Sequence, residues 1–123
     1  MNAIMQYRYK EIAKEYGLEC HIVKPNDKWC QANGIEQYTN NSSCSNTEIW
    51  VGIFENEQWE MISFFHELGH IIIGLNSEMY PTKWHLELNA WMIGIFEAQR
   101  RGYFISPQTF NEFVVPCLNS YKY

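Results

Sequence analysis

The chain has 123 residues, of which 46% are hydrophobic and 16% aromatic, and it carries a formal net charge of -5. This size and composition predict a single globular domain spanning residues 1–123, with enough apolar surface to bury a core. Lysine and arginine never form a run longer than two residues, which excludes the continuous basic patch that nucleic-acid binding requires.

The sequence shows no sign of export or membrane insertion. No apolar run approaches the ~20 residues that cross a bilayer, and the N-terminal segment mixes charged with apolar residues, unlike a signal peptide. A cytoplasmic protein without membrane partners is therefore expected, while its oligomeric state cannot be read from the sequence.

The four cysteines do not predict a structural metal site. They form no CxxC pair, so a zinc ribbon is not expected, and without a secretory signal the thiols are expected to be free. A disulfide between Cys30 and Cys44 would close a plausible loop and is the weaker alternative. Cys117 lies on an apolar stripe and is predicted to belong to the core.

The N-terminal part of the chain is predicted to contain a helix, a short strand and a long polar segment. Large apolar residues recur at helical spacing before Gly17, which is suited to end the helix in the left-handed conformation. A strand from Glu19 to Lys24 is expected next, stopped by Pro25. The polar residues from Asn26 to Glu48 predict a long loop or a loose hairpin.

A strand followed by a helix is predicted in the middle of the chain. Ile49 to Phe54 is rich in β-branched and aromatic residues, and a helix from Glu57 to Ile73 follows, with Gly74 as its terminator. Because the connection is short, the strand is predicted to lie beside the site as an edge strand that holds an extended peptide by strand addition. Gly52 suggests a close backbone approach there.

The second half of this helix combines burial with ionisable groups. It is apolar nearly all round, which is typical of an interior helix, yet it carries His66, Glu67 and His70. Residues four apart lie about 40° apart around a helix, so both imidazoles can meet one ion. Glu67 can reach a water at that ion and act as general base, because zinc lowers the pKa of water towards ~7.

Two buried histidines and a glutamate satisfied by other groups are the structural alternative. That alternative requires three costly polar groups to find partners on an apolar helix. The HExxH spacing also arises by chance in unrelated chains, but its place on a buried helix after a strand favours a metal site.

A catalytic zinc site needs a third protein ligand. Six donors follow the motif: Glu78, His85, Glu87, Glu97, Glu112 and Cys117. A helix is predicted from Lys83 to Arg101, with Thr82 as N-cap and Gly102 just past its end. On it, Glu87 shares a face with mostly small residues: Ala90, Trp91, Gly94 and Ala98.

This small-residue face makes Glu87 the best candidate for the third ligand, because it can lie tightly against the motif helix. Gly69 in the motif lets another backbone approach from the other side. His85 is the rival ligand, and it lies about 200° round the helix from Glu87, at ~100° per residue. If Glu87 faces the metal, His85 points outward. A last helix is predicted to begin at Ser106-Pro107.

His66-Glu67-Leu68-Gly69-His70, followed by Glu87-Leu88-Asn89-Ala90-Trp91, resembles the ImmA/IrrE family of metallopeptidases, which are of the gluzincin type. The resemblance covers residues 49–102. It implies that Glu87 is the third zinc ligand and that Ala90 matches the family alanine. A shifted alignment would instead place His85 on the ligand glutamate, with Asn89 on the family asparagine.

The same resemblance implies an α+β fold, in which a small twisted sheet packs on the HExxH helix, followed by a glutamate-bearing helix and a C-terminal helix. It further implies a zinc-dependent endopeptidase that cleaves a specific protein partner, often a transcriptional repressor. A chain of this size is expected to offer few subsites, so general substrates such as casein should be poor ones.

Two other functions remain open from the sequence. One is a non-catalytic zinc-binding interaction module, and the other is a toxin-like protein of a phage or mobile element with an unrelated target. The presence of Glu67 favours an enzyme over the first, since a purely structural zinc site has no use for a base. The sequence does not separate the second from a regulatory peptidase.

Overall fold

The computed structural model describes residues 3–24, 41–74 and 79–121. The chain comprises two compact units, Met1–Phe64 and Phe65–Tyr123, which are taken in turn. The described residues form four helices and a three-stranded mixed sheet, so the predicted α+β class is confirmed. None of these helices has the length and apolar character that crossing a membrane requires.

The first unit begins with the predicted helix α1, Ala3–Glu15. Its end follows from Gly17, which has a φ of 70° and donates its N–H to the Lys14 carbonyl at 3.0 Å. A residue with a Cβ is strained in this left-handed conformation, whereas glycine adopts it readily. Strand β1, Glu19–Ile22, follows and is two residues shorter than predicted.

The sheet has the strand order β1-β3-β2. Strand β3, Glu48–Val51, lies in the centre, parallel to β1 and antiparallel to β2, which is Ser42–Cys44. In the register, Ile49 of β3 lies opposite both Cys20 of β1 and Cys44 of β2. Residues 42–51 therefore form a hairpin that joins the end of the polar segment to the next strand, while residues 26–40 of the predicted loop or hairpin lie outside the described residues.

Serine hydroxyls explain how the polar β2 segment forms a strand. The Ser45 N–H donates to the Glu48 carbonyl at 2.9 Å, while the Ser45 hydroxyl accepts the Glu48 N–H at 3.2 Å, and together these bonds close the turn. At the far end, the Ser42 hydroxyl accepts the Gly52 N–H at 3.1 Å. Cys30, the other half of the weaker disulfide alternative, lies outside the described residues.

The prediction that Ile49 to Phe54 forms an edge strand is wrong. Strand β3 pairs along both sides and ends at Val51, so its backbone has no free edge to which a peptide could add. Ile49 and Val51 are completely buried, which matches their place in the sheet centre. The Gly52 N–H is used by Ser42, so that glycine does not offer a donor to a peptide either.

Helix α2, Glu57–Ile73, has the predicted bounds and crosses the boundary between the units. The Asn56 side chain accepts the N–H groups of Gln58 and Trp59 at 3.0 and 3.1 Å and so caps the first turn. In the first unit, the Tyr9 hydroxyl donates to the buried Glu60 carboxylate at 3.1 Å. Burial raises the pKa of Glu60, partly offset by this bond.

The second unit contains the end of α2 and two further helices. Helix α3, Lys83–Arg100, begins at the predicted cap, where Thr82 accepts the His85 N–H at 3.3 Å. Its end is followed by Gly102, which has a φ of 86°. Helix α4, residues 107–119, begins at Ser106, whose hydroxyl accepts the Thr109 N–H as predicted.

Helix α4 contains a wide turn that the sequence analysis did not predict. Its segments are α-helical Pro107–Thr109, π-helical Phe110–Val114 and α-helical Val115–Asn119. Pro116 has no N–H and its ring would collide with the carbonyl of the residue four positions earlier in an α-helix, so a wider turn before it relieves both problems. Cys117, predicted to be core, is only half-buried.

Candidate metal centre

Helices α2 and α3 approach each other at two glycines. A Cβ on Gly69 would overlap the Ala90 carbonyl oxygen, and a Cβ on Gly94 would overlap the Phe65 carbonyl oxygen. Each glycine thus faces the backbone of the other helix, and this reciprocal contact confirms the predicted role of Gly69 and of the small-residue face. The contact brings the start of α3 close enough for a glutamate side chain to reach the HExxH turn.

Three side chains from these helices converge at one point. Nε2 of His66 lies 3.1 Å from Oε1 of Glu87, and Nε2 of His70 lies 2.9 Å from Oε2 of the same carboxylate. One donor atom from each residue lies within 4.8 Å of the others. The exposed fraction is only 8% for His66, 9% for His70 and 2% for Glu87. Within the described parts of the chain, they are the one such group of three potential metal ligands.

The His66 imidazole leaves a buried nitrogen unsatisfied. Its Nε2 is close to Glu87, but no described group forms a hydrogen bond with it. A buried polar atom without a partner carries a free-energy cost of about 1–3 kcal/mol. A cation among the three side chains would remove that cost by taking the lone pair of Nε2, so the residues present fit a metal ion.

The Glu87 carboxylate is held in its charged form. Burial opposes its ionisation, but the polar contacts and electrostatic interaction with the His66 and His70 imidazoles outweigh burial and lower its pKa from 4.5 to about 2. A carboxylate that remains ionised in a buried position has the charge state that a metal ligand needs.

Glu67 lies beside the three-residue group without belonging to it. Its Oε1 is 3.8 Å from Nδ1 of His66, on the opposite side of that ring from Nε2. Its side chain is about one-tenth exposed, so it is almost as buried as the imidazole beside it. Glu67 is therefore not one of the three converging donors, and its role as the general base stays a prediction.

The other predicted donors are used elsewhere. His85 is exposed and its Nδ1 lies 2.7 Å from the Thr82 hydroxyl, so the prediction that it points outward is confirmed. Glu97 forms ion pairs with Arg100 and Arg101, and the Glu112 carboxylate accepts from Gln108 at 3.3 Å. Glu78 lies outside the described residues.

Two contacts of the site were missed by the sequence analysis. The Trp91 ring stacks on His66, whereas the sequence placed Trp91 only on the packed face of the helix, without a partner. Lys83 Nζ lies 3.8 Å from Oε2 of Glu87 and 5.7 Å from the centre of the Tyr121 ring. The spacing of four residues from Lys83 to Glu87 and from Glu87 to Trp91 was the signal available, since it places all three on one helical face.

These positions predict different effects for the two rival ligands on α3. We expect Glu87→Ala to weaken zinc binding by ten-fold or more, because it removes a buried charged donor, whereas His85→Ala should change affinity by less than about three-fold, since its ring lies outside the group. Competition with a chromophoric chelator measures both affinities. The reverse order would transfer the third ligand to His85.

Comparisons of the chain with known proteins found no relative. No family model, curated protein or solved structure matches the chain. The resemblance to the ImmA/IrrE family therefore remains a prediction that rests on the motifs at residues 66–70 and 87–91.

Proposed function

We propose that the protein is a zinc-dependent endopeptidase whose ligands are His66, His70 and Glu87 and whose general base is Glu67. The observation that carries the proposal is the convergence of two imidazole Nε2 atoms on a buried, ionised glutamate from the neighbouring helix. Two histidines and one carboxylate form a ligand set found in zinc peptidases, with one position left for water or substrate.

The choice of zinc and hydrolysis depends on Glu67. Two histidines and one carboxylate also bind iron(II) in oxygenases, so the three ligands alone do not select a reaction. Glu67 provides a further carboxylate next to a proposed ligand, with its Oε1 3.8 Å from Nδ1 of His66, and it is the residue to which the HExxH resemblance assigns the role of base in a hydrolase. It also argues against a non-catalytic zinc module, in which such a base has no task.

Each residue has a separate task in this mechanism. Zinc, when bound, acidifies water and polarises the carbonyl of the scissile peptide bond. The Glu67 carboxylate accepts a proton from the attacking water and later delivers it to the nitrogen of the departing amine, so the base is regenerated. The Glu87 carboxylate stays ionised and holds its place between the two imidazoles. The buried surroundings strengthen these charge interactions relative to water.

The proposed substrate is one specific protein partner of the repressor-type regulator class. Support for this class comes from the resemblance of the two motifs to a family of regulatory peptidases. The net charge of -5 further favours a partner with a neutral or basic docking surface, because opposite potentials promote encounter.

A parallel digestion tests this specificity. Unfolded casein and the proteins encoded next to this gene are each incubated with zinc-loaded protein, with Glu67→Gln as the inactive control. We expect cleavage of a neighbouring regulator at few sites and little cleavage of casein. Rapid degradation of casein at many sites, without preference for a neighbour, would indicate a general peptidase instead.

A further inference from the structure

The indole of Trp91 lies flat on the imidazole of His66. The ring centroids are 3.9 Å apart and the planes differ by 2°, so the two rings are in full face-to-face contact. Trp91 is 3% exposed, and the Phe113 ring of α4 meets it edge-on, with centroids 6.0 Å apart and planes at 90°. Ring contacts therefore connect Phe113 of α4, through Trp91, to the proposed metal ligand His66.

Trp91 and Glu87 reach His66 from consecutive turns of α3. They are four residues apart and share one helical face. The Glu87 carboxylate lies 3.1 Å from Nε2, at the edge of the imidazole, whereas Trp91 covers its face. The Glu87 carboxylate contacts the Nε2 edge of the imidazole, and the Trp91 ring constrains the plane of the imidazole. Together they restrict both rotations by which a histidine side chain turns away from a metal.

The second histidine ligand is held differently. The His70 ring is tilted by 53° relative to His66, with centroids 4.7 Å apart. Its Nε2 lies 2.9 Å from Oε2 of Glu87, a contact similar to the 3.1 Å between Nε2 of His66 and Oε1. Of the two imidazoles, His66 is the one whose face stacks on the Trp91 ring.

We propose that Trp91 is a positioning residue, which sets the ring plane of His66 before the metal arrives and stabilises the imidazole once the metal has made it more positive. An aromatic face attracts positive charge, and the effect is greatest for indole. A ligand already oriented in the metal-free protein loses less side-chain freedom on binding, so affinity rises. This inference rests on the proposed metal site.

Metal affinity tests the inference with two variants and a matched control. Trp91→Leu removes the flat ring, and we expect zinc and cobalt(II) affinity to fall by about ten-fold or more, the scale of losses when groups that orient a ligand are removed. Trp91→Phe keeps an aromatic face and should lose less than Trp91→Leu. The control is Trp84→Leu on the same helix, whose ring contacts His85 edge-on instead of a ligand, and whose affinity should be unchanged.

A spectroscopic measurement on the metal-free protein separates this role from simple packing. A proton above an indole face resonates upfield, so the His66 ring protons should be shifted upfield in the wild type and return to ordinary positions in Trp91→Leu. This readout needs neither metal nor activity, so it still decides the stacking if the wild type proves not to bind zinc. It also decides if Trp91→Leu does not fold, because the wild-type shift is then compared with the ordinary position of histidine ring protons in an unfolded chain.

Three results would overturn the inference. The first is wild-type affinity in a Trp91→Leu variant that melts cooperatively. The second is an equal loss of affinity in Trp84→Leu, which would indicate general loosening of α3. The third is an ordinary chemical shift for the His66 ring in the wild-type protein.

Discussion

The Glu67→Gln variant is expected to bind zinc like the wild type but to cleave its substrate at least ~10²-fold more slowly, the scale of general-base effects. The amide has nearly the shape of the carboxylate, so the packing around the buried Glu67 side chain should be preserved. An amide does not accept the proton of the attacking water, and the neighbouring Glu87 carboxylate does not replace it, because Glu87 is engaged by both imidazoles. The expected loss is therefore confined to the chemical step.

The measurement is a single-turnover rate together with metal content and a melting curve for each protein. Glu112→Gln on α4 is the matched control, because it makes the same chemical change at an exposed carboxylate, which accepts hydrogen bonds from the Gln108 side chain. It should retain full activity. Unchanged turnover in Glu67→Gln, at full metal occupancy, would mean that the site is not hydrolytic in the way proposed.

The Gly69→Ala variant is expected to be less stable than the wild type, although alanine normally stabilises a helix relative to glycine by about 0.5–1 kcal/mol. The new methyl group would overlap the Ala90 carbonyl oxygen, which belongs to a helical backbone and has little freedom to move. Overpacking of this kind costs typically about 1–3 kcal/mol. Gly94→Ala should behave similarly, because its methyl group would meet the Phe65 backbone.

Both glycine variants should also weaken metal binding, because moving α3 away from α2 carries Glu87 away from His66 and His70. Urea unfolding of the metal-free proteins measures the stability change, and chelator competition measures the affinity. Met92→Ala is a suitable control on α3, since Met92 is 59% exposed and its truncation should have little effect on either quantity. A Gly69→Ala protein as stable as the wild type would contradict the close approach of the two helices.

Short-range signals made the two helices of the site predictable. The caps and terminators of α2 and α3 are encoded within a few residues of each end, and the observed bounds follow them closely. The convergence of His66, His70 and Glu87 was predictable as well, because the four-residue spacing sets one face of α2 and the small residues of α3 mark the face that packs. Here local sequence pattern and tertiary contact lead to the same arrangement.

The arrangement of the strands was less predictable, because it depends on pairing between distant segments. The Ser42–Cys44 segment has little strand propensity of its own, and it pairs with β3 through a turn closed by the Ser45 hydroxyl. The short connection between β3 and α2 predicts that the strand lies near the helix, but the edge position that we predicted with it is wrong. A connection length does not fix strand order, whereas the complete burial of Ile49 and Val51 is typical of a central strand.

The contact between Trp91 and His66 was not predicted for a related reason. Helical periodicity placed Trp91 on the packed face, but it does not say which ring of the opposing helix the indole meets. That partner depends on how far α3 is displaced along α2, which is set by Gly69 and Gly94 together. The π-helical turn was not predicted either, because helical periodicity does not show how the backbone accommodates Pro116 inside a helix.

Elemental analysis of the purified protein is the most direct test of the metal centre. The account predicts close to one zinc per wild-type chain, and little or none in His66→Ala and His70→Ala. Each variant removes one of the three protein ligands and also one of the two imidazoles that contact the Glu87 carboxylate. Both variants should still contain folded protein, as judged by circular dichroism. Full zinc occupancy in the two histidine variants, or a wild-type protein that binds no zinc even when it is supplied in excess, would contradict the account.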